Sequence, residues 1–196
     1  LFPYTTLFRS RAGRSVFLNS LIDTDGGAFT VIANDSLSSG VIDSEREPGA
    51  AVIEMGASAA IDASGGGTVT LEILDDASKT NAQAGDITLN AIEAASIYAY
   101  NLGASGGDIV VNGPLAAEFS DTIILVSASG DFLNYYGPGA LDPGPGRFLV
   151  YSQDPANNVF GGVTAPPWYN TSFGGPIPSS GNYFIYTLAP VLTVAA

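Results

Sequence analysis

Gly85-Asp-Ile-Thr-Leu-Asn90 returns as Gly107-Asp-Ile-Val-Val-Asn112, and a looser copy opens at Gly130-Asp-Phe-Leu133, so the chain repeats itself at intervals of 22 and 23 residues. Fainter rungs stand at Gly27-Ala-Phe-Thr-Val-Ile32 and Gly67-Thr-Val-Thr-Leu-Glu72. Starts therefore fall at 27, 67, 85, 107 and 130, the first interval of 40 being about twice the others. A fixed period near twenty predicts stacked units. Each unit is too short for a strand-helix-strand crossover, which takes roughly 30 residues, and long enough for two or three short strands joined by turns. The expected fold class is all-β, a β-solenoid.

Composition agrees. The chain has 196 residues, 46% of them hydrophobic, and a mean hydropathy of +0.26, enough for one continuous core and contrary to disorder. Its 24 glycines and scarce Lys and Arg suit short strands and tight turns better than helices. The formal charge of −13 rests on 6 basic and 19 acidic residues, and no basic residue lies between Lys79 and Arg147. Nucleic acid, whose phosphates need cationic partners, is excluded as a ligand class, and so is an anionic membrane surface. With no His and no Cys, the usual general base, the common triads and most zinc sites are absent. Zero Cys also fits large exported bacterial proteins that cross an oxidising periplasm unfolded. No stretch reaches the roughly 18 apolar residues of a membrane helix, so no membrane insertion is expected.

Within the repeat, alternation predicts Val69, Leu71 and Ile73 inside. One turn of the repeat above another, Ile87 stacks on Ile109 and Leu89 on Val111, and Asn90 and Asn112 occupy equivalent turns suited to a hydrogen-bonding ladder. About six coils are expected over 11–140. Beyond Gly137 the character shifts: the tail from Arg147 holds six of the twelve prolines and the single Trp168. Residues 141–196 read as a Pro/Gly/aromatic-rich capping or connecting segment. Two strands, Arg147-Phe-Leu-Val-Tyr-Ser152 and Asn182-Tyr-Phe-Ile-Tyr-Thr187, frame it and are expected to pair or extend one face. The long loop between them reads as a lid over the last coil, or as cover for an open sheet edge.

Residues 1–10, Leu-Phe-Pro-Tyr-Thr-Thr-Leu-Phe-Arg-Ser, share neither the repeat nor the composition of the rest of the chain. They resemble the translation of a short-read sequencing adapter and are read as a sequencing artefact, the alternative being an edge strand or cap. Without Arg9 the net charge moves from −13 to −14. On this reading the true N-terminus and any export signal lie elsewhere.

The candidate functional residues fall into three classes. Paired carboxylates could serve a polysaccharide-acting enzyme, namely Asp23 with Asp25, Asp75 with Asp76, and the stacked Asp86 and Asp108, with Lys79 the one nearby cation. The first two pairs sit in turns, where Asp serves the backbone; Asp86 and Asp108 follow glycine and are expected to begin strands rather than share a substrate, and stacking this close would raise the pKa of one of them. No catalytic residue is assigned. Asp23-Thr-Asp-Gly-Gly27 offers calcium oxygen ligands at alternate positions, yet matches neither an EF-hand loop nor the glycine-rich nonapeptide repeat, so no metal and no cofactor are assigned. Tyr135, Tyr136, Trp168 and Tyr169 are candidates for surface binding of a protein or glycan, with buried packing as the alternative; Tyr98 and Tyr100 belong to the same set.

Gly85-Asp-Ile-Thr-Leu-Asn90, Gly106-Gly-Asp-Ile-Val-Val-Asn-Gly-Pro-Leu115, Gly146-Arg-Phe-Leu-Val-Tyr-Ser-Gln-Asp-Pro155 with Asn158-Val-Phe-Gly-Gly162, and the closing Gly181-Asn-Tyr-Phe-Ile-Tyr-Thr-Leu-Ala-Pro-Val-Leu-Thr193 resemble the filamentous haemagglutinin-like adhesins exported by bacterial two-partner secretion. The tail is the more specific match, and the resemblance covers about 11–196. It implies a right-handed parallel β-helix, export through an outer-membrane secretion partner, and a location that is secreted or on the bacterial cell surface. The expected role is a non-enzymatic stalk mediating attachment to a host or bacterial surface protein or glycan. A β-helical lyase or glycoside hydrolase is the alternative.

Overall fold

The computed structural model describes residues 7–35, 42–46, 48–74, 83–104, 106–118 and 122–190. Val41, the Asp75 and Asp76 pair, Lys79 and the closing 191–193 lie outside the described residues. The strands, in chain order, are β1 (Phe8–Arg11), β2 (Val16–Leu18), β3 (Leu21–Asp23), β4 (Phe29–Ala33), β5 (Ala51–Met55), β6 (Ala60–Ile73), β7 (Ala84–Leu89), β8 (Ala91–Asn101), β9 (Ile109–Val111), β10 (Leu115–Ala117), β11 (Thr122–Ser127), β12 (Phe132–Asn134), β13 (Leu141–Asp142), β14 (Arg147–Ser152), β15 (Pro167–Trp168) and β16 (Tyr183–Tyr186). The fold is all-β, with one 3-10 turn at Asp43–Glu45, and every strand pairing among the described residues is parallel.

The pairings fall into three rows, which the chain visits in the same order on each pass. Row one is the five-stranded sheet β2-β5-β7-β9-β12. Row two is β3, the first part of β6, the first part of β8, β10 and β13; row three is β1, β4, the remainder of β6 and of β8, β11, β14 and β16, with β15 beyond β16. Rows two and three join because β6 and β8 each run through both. In β6 the register breaks between Ala63 and Thr68, where Ser64-Gly-Gly-Gly67 turns the corner.

Parallel strands stack like on like at roughly 4.8 Å, and the inward residues form columns. Val16, Ile53, Ile87, Ile109 and Phe132 make one in row one. In row two the column is Ile22, Ile61, Ile92, Leu115 and Leu141. Val31, Leu71, Ala99, Leu125, Val150 and Phe184 make one in row three. The columns meet in a single apolar interior, in which Val69, Leu71 and Ile73 are fully buried as the alternation predicts. Ile87 lies on Ile109 and Leu89 on Val111, the pairs expected from the repeat.

The spacing of the repeat needs correction. Gly27 precedes β4 and Gly67 the row-three part of β6, whereas Gly85 lies at the start of β7 and Gly107 and Gly130 precede β9 and β12 of row one, so the five starts combine two different corners. Phe29 pairs directly with Val69, which makes the interval of 40 a single pass with an insertion rather than two passes. Among the described residues, row one places five strands and row three four between residues 12 and 140, fewer than the six coils expected. The rows continue past residue 140, with Leu141 on Leu115 and Phe148 on Ile123. Phe8–Ser10 of the opening decapeptide lie in β1, where Phe8 stacks on Phe29 with ring centroids 5.1 Å apart.

Glycine recurs at the corners because the main chains there approach too closely for a side chain. A Cβ on Gly107 would collide with the Gly85 carbonyl oxygen and the Asn101 amide, and one on Gly130 would lie 2.6 Å from both the Gly107 carbonyl oxygen and Asp108 Oδ1. Buried polar side chains close the same corner. Asn101 Nδ2 donates to the Gly85 carbonyl at 2.7 Å, and one pass on, where Ser127 pairs with Asn101, Ser127 Oγ donates to the Gly107 carbonyl at 2.7 Å. The asparagine ladder expected at 90 and 112 is only half built. Asn90 Nδ2 donates to the Gly56 carbonyl at 2.9 Å, while the bond shown at Asn112 is from its main-chain N–H to Leu89.

Gly107→Ala should therefore cost about 1–3 kcal/mol, the range for overpacking. Gly139→Ala should be near neutral, since the nearest atom to its Cβ is Tyr136 Cε1 at 3.8 Å. Urea denaturation of both variants checks this, and equal midpoints would refute the close-approach account.

Candidate functional site

The downstream end of the rows is where sequence and packing concentrate aromatic surface. β16 lies between β14 and β15, pairing with both, so the two strands expected to frame the tail do pair, Leu149 on Tyr183 and Val150 on Phe184. The outermost strand, β15, is two residues long and follows Pro166. Proline has no N–H to offer, and a short proline-bearing strand blunts an edge that could otherwise template another sheet.

The long loop divides its work. Phe160, Ala165 and Tyr169 pack, with buried Val163, against the end of the interior column at Phe184 and Tyr186. The later part, 170–182, instead straps the outer face of row three. There the outward positions Ile124, Val126, Leu149, Tyr151, Tyr183 and Ile185 are apolar, and Ile177 packs on them. Phe173 sets its ring 5.4 Å from Tyr100 and 5.3 Å from Tyr151. The lid expected over the last coil is thus a plug and a strap. Arg147 Nη1 holds the strap through the Pro178 carbonyl at 2.8 Å.

Two clefts flank this region. One, of about 500 Å³, is lined by Phe160, Val163, Ala165, Tyr169, Phe184 and Tyr186 among others. The other, of about 370 Å³, is lined by Trp168, Tyr169, Thr171, Pro176, Ile177 and Pro178. Tyr169 lines both, half-buried and stacked on Tyr186 at 5.4 Å. Trp168 is 40% exposed, edge-on to Tyr183, with Nε1 donating to the Pro176 carbonyl at 3.3 Å. Neither cleft is lined by a carboxylate or a cation, so their chemistry is contact with apolar or aromatic groups, with hydroxyls at the margin. Tyr135 and Tyr136 stand elsewhere, exposed at the end of row one. Asn134 Oδ1 accepts the N–H groups of Tyr136 and Gly137, and its Nδ2 donates to the Gly137 and Phe160 carbonyls, a fixed turn that holds both rings outward.

The carboxylate candidates are engaged with the main chain. Asp23 Oδ1 accepts the Asp25 N–H at 2.9 Å, the geometry of an acidic turn, with Asp25 itself at φ 49°. Asp23 lies beside Asp62 on the next pass, whose Oδ1 accepts from the hydroxyl and N–H of Ser64; these bonds, the hydroxyl's first, lower the Asp62 pKa. Among the described residues no group of three or more acidic side chains is arranged to hold a metal ion. Asp86 Oδ1 accepts the Asp108 N–H at 2.9 Å, and Asp108 Oδ1 the Asp131 N–H at 2.8 Å. The stacking expected of Asp86 and Asp108 is present and extends to Asp131. That extension was legible in Gly130-Asp131; the aromatic plug at Phe160 and Tyr186 had no periodic signal to announce it.

No family model, no curated protein and no solved structure matches this chain. Among the described residues no helix is long and apolar enough to cross a membrane.

The tyrosines of the strapped end predict a pH dependence. Burial, reinforced by Tyr98, Glu72 and Tyr151, pushes Tyr100 up to about 12, and burial pushes Tyr186 up to about 12 against a hydrogen bond with Asn158. A phenol unfolds to a pKa near 10, so the folded state holds these protons more tightly. Their contribution to stability is complete below about pH 10 and is lost as pH rises towards 12. The single Trp168 should report loosening of this end as a red-shifted fluorescence in that window, and a spectrum unchanged to pH 12 would contradict it.

Proposed function

We propose that the chain is a right-handed parallel β-solenoid forming a stalk segment of an exported filamentous haemagglutinin-like adhesin. The observation that carries this reading is the three-row order, repeated pass after pass in parallel register over one apolar interior. A structure whose units contact only their neighbours extends as a rod. Right-handedness accords with the twist preference of L-residue strands and their parallel connections. On this reading an outer-membrane secretion partner exports the protein to the cell surface or medium. Attachment to a surface protein or glycan then falls to exposed Trp168 and half-buried Tyr169 beside their clefts and to exposed Tyr135 and Tyr136 at the row-one turn.

The enzyme reading has less support. Asp86 and Asp108 each hold the next N–H, and Asp23 holds that of Asp25, so these carboxylates have structural duties. The described arginines with assigned bonds do likewise: Arg11 pairs with Asp35, Arg14 donates to the Pro48 and Ala50 carbonyls, Arg46 to the Gly13 carbonyl and Asn34 Oδ1, and Arg147 to Pro178. Arg11 also acts on Glu72, which lies near Asp35, at the upstream edge of row three and away from the acidic turns.

Beads coated with the chain should be retained on cultured epithelial cells, and a Trp168→Ala/Tyr169→Ala variant should be retained several-fold less. Retention no greater than that of albumin-coated beads would remove attachment from this chain. Incubation with acidic and neutral polysaccharides should release neither unsaturated uronic acids nor new reducing ends; release of either would move the chain to the enzyme reading.

A further inference from the structure

Three acidic residues recur at one corner of successive passes, Asp86, Asp108 and Asp131; Asp154 acts on the last of them while its own Oδ1 accepts the Ala156 N–H at 2.7 Å. Gly107 and Gly130, before Asp108 and Asp131, admit no side chain, and Gly85, before Asp86, is tight, with Ala50 Cβ and Val52 Cγ1 3.0 Å from its Cβ position; Gln153, before Asp154, donates its N–H to the Gly130 carbonyl at 3.1 Å. Two further bonds fix the column, Asp86 Oδ1 accepting the Asp108 N–H and Asp108 Oδ1 the Asp131 N–H. Strand pairing on the neighbouring residues, Ile87 with Ile109 and Ile109 with Phe132, sets the carboxylates one strand spacing apart, roughly 4.8 Å. Neither partner can move away, because the same ladder that builds row one holds both main chains.

Among the described residues, the charges acting on Asp108 and Asp131 are all of one sign. Asp86 acts on Asp108, while Asp108 and Asp154 act on Asp131. Among the described residues no cation acts on either. Arg11, Arg14 and Arg46 are engaged near the upstream edge, Arg9 acts on Glu72, and Arg147 is bonded to the strap.

We propose that the Asp86-Asp108-Asp131 column, with Asp154 near its downstream end, is an acid-responsive seam that tightens the stacked passes as the surroundings become mildly acidic. A proton on Oδ2 leaves Oδ1 able to accept the same N–H, so protonation keeps the ladder bond and removes repulsion between fixed neighbours. Burial first, and the neighbouring carboxylates after it, raise the pKa of both Asp108 and Asp131; for Asp108 the bond from the Asp131 N–H opposes this. A raised folded pKa means that the folded state binds more protons than the unfolded chain. The stabilisation is fully present below the unfolded value near 4 and is lost as pH rises through the raised value.

Thermal melts of the full chain at neutral pH and at about pH 5, just above the ordinary aspartate range, test this against the general relief that any acidic protein gains from acid. Asp108→Asn/Asp131→Asn keeps the Oδ1 acceptors and removes two charges from the column. Asp25→Asn/Asp142→Asn removes two charges elsewhere, at a residue already at positive φ and at one whose Oδ1 accepts the Gly144 N–H, both roles that Asn can fill. The expected result is a higher Tm at the lower pH for the unsubstituted chain. The column variant should have a raised Tm at neutral pH and less than half the pH difference, while the other pair keeps the full difference. A pH-independent or acid-lowered Tm in the unsubstituted chain overturns the proposal, as does an equal loss of the difference in both variants. Asp131→Asn alone gives the same reading should the double variant not fold.

Discussion

Parallel main-chain pairing at a fixed spacing leaves each inward side chain only one place to rest, on the equivalent side chain of the neighbouring pass. Everything else in the molecule is a consequence of keeping that contact apolar inside and tolerable outside. Ile53, Ile87 and Ile109 satisfy it with matched aliphatic residues, and downstream Phe132, Phe148 and Phe184 take over. The same rule makes outward neighbours unavoidable. It brings Asp86 to Asp108 as surely as Ile87 to Ile109, and the resulting repulsion is offset by giving each carboxylate the next N–H to accept.

The two ends of the rows meet different physical demands. Upstream, Arg11 reaches Asp35, a buried carboxylate, while Arg14 and Arg46 tie down the main chain around the first insertion. Downstream, aromatic residues replace ion pairs. Phe160 meets Phe184 edge-on at 4.7 Å and Tyr169 covers Tyr186, closing the interior with rings rather than with another full pass. The outward face of row three changes with it, from Thr30, Thr70 and Glu72 upstream to Leu149, Tyr151 and Ile185 under the strap. A strapped apolar outer face, a two-residue edge strand beginning at Pro167 and exposed Trp168 together leave this end of row three presenting aromatic surface beside a blunted edge.

Much of the interior was legible in the sequence, because alternation and recurrence are properties of short segments. Gly-Asp-Ile at 85 and 107 placed Ile87 on Ile109 correctly, and alternation buried Val69, Leu71 and Ile73. The path between segments was less legible. Recurrence in sequence measures chain length, whereas stacking measures position in a row, and an insertion alters the first without touching the second; hence Phe29 meets Val69 across 40 residues. The same glycine requirement also operates at two corners, which merged two series into one ladder. The candidate site was half visible. Trp168, Tyr169, Tyr135 and Tyr136 declare themselves by composition, but the strap was not foreseen, since nothing periodic marks outward Ile124, Val126 and Leu149 as requiring cover from Phe173 and Ile177.

The central claim, that each pass lies directly on the last in one parallel register, is open to a distance measurement made simple by a chain without cysteine. Phe17, Glu54, Thr88, Val110 and Leu133 are successive register partners on the outer side of row one. Spin labels on Phe17→Cys and Leu133→Cys, four spacings apart, should give one narrow distribution centred at about 20 Å by pulsed electron resonance. A broad distribution, or one centred beyond about twice that length, would mean that the rows do not stack as described.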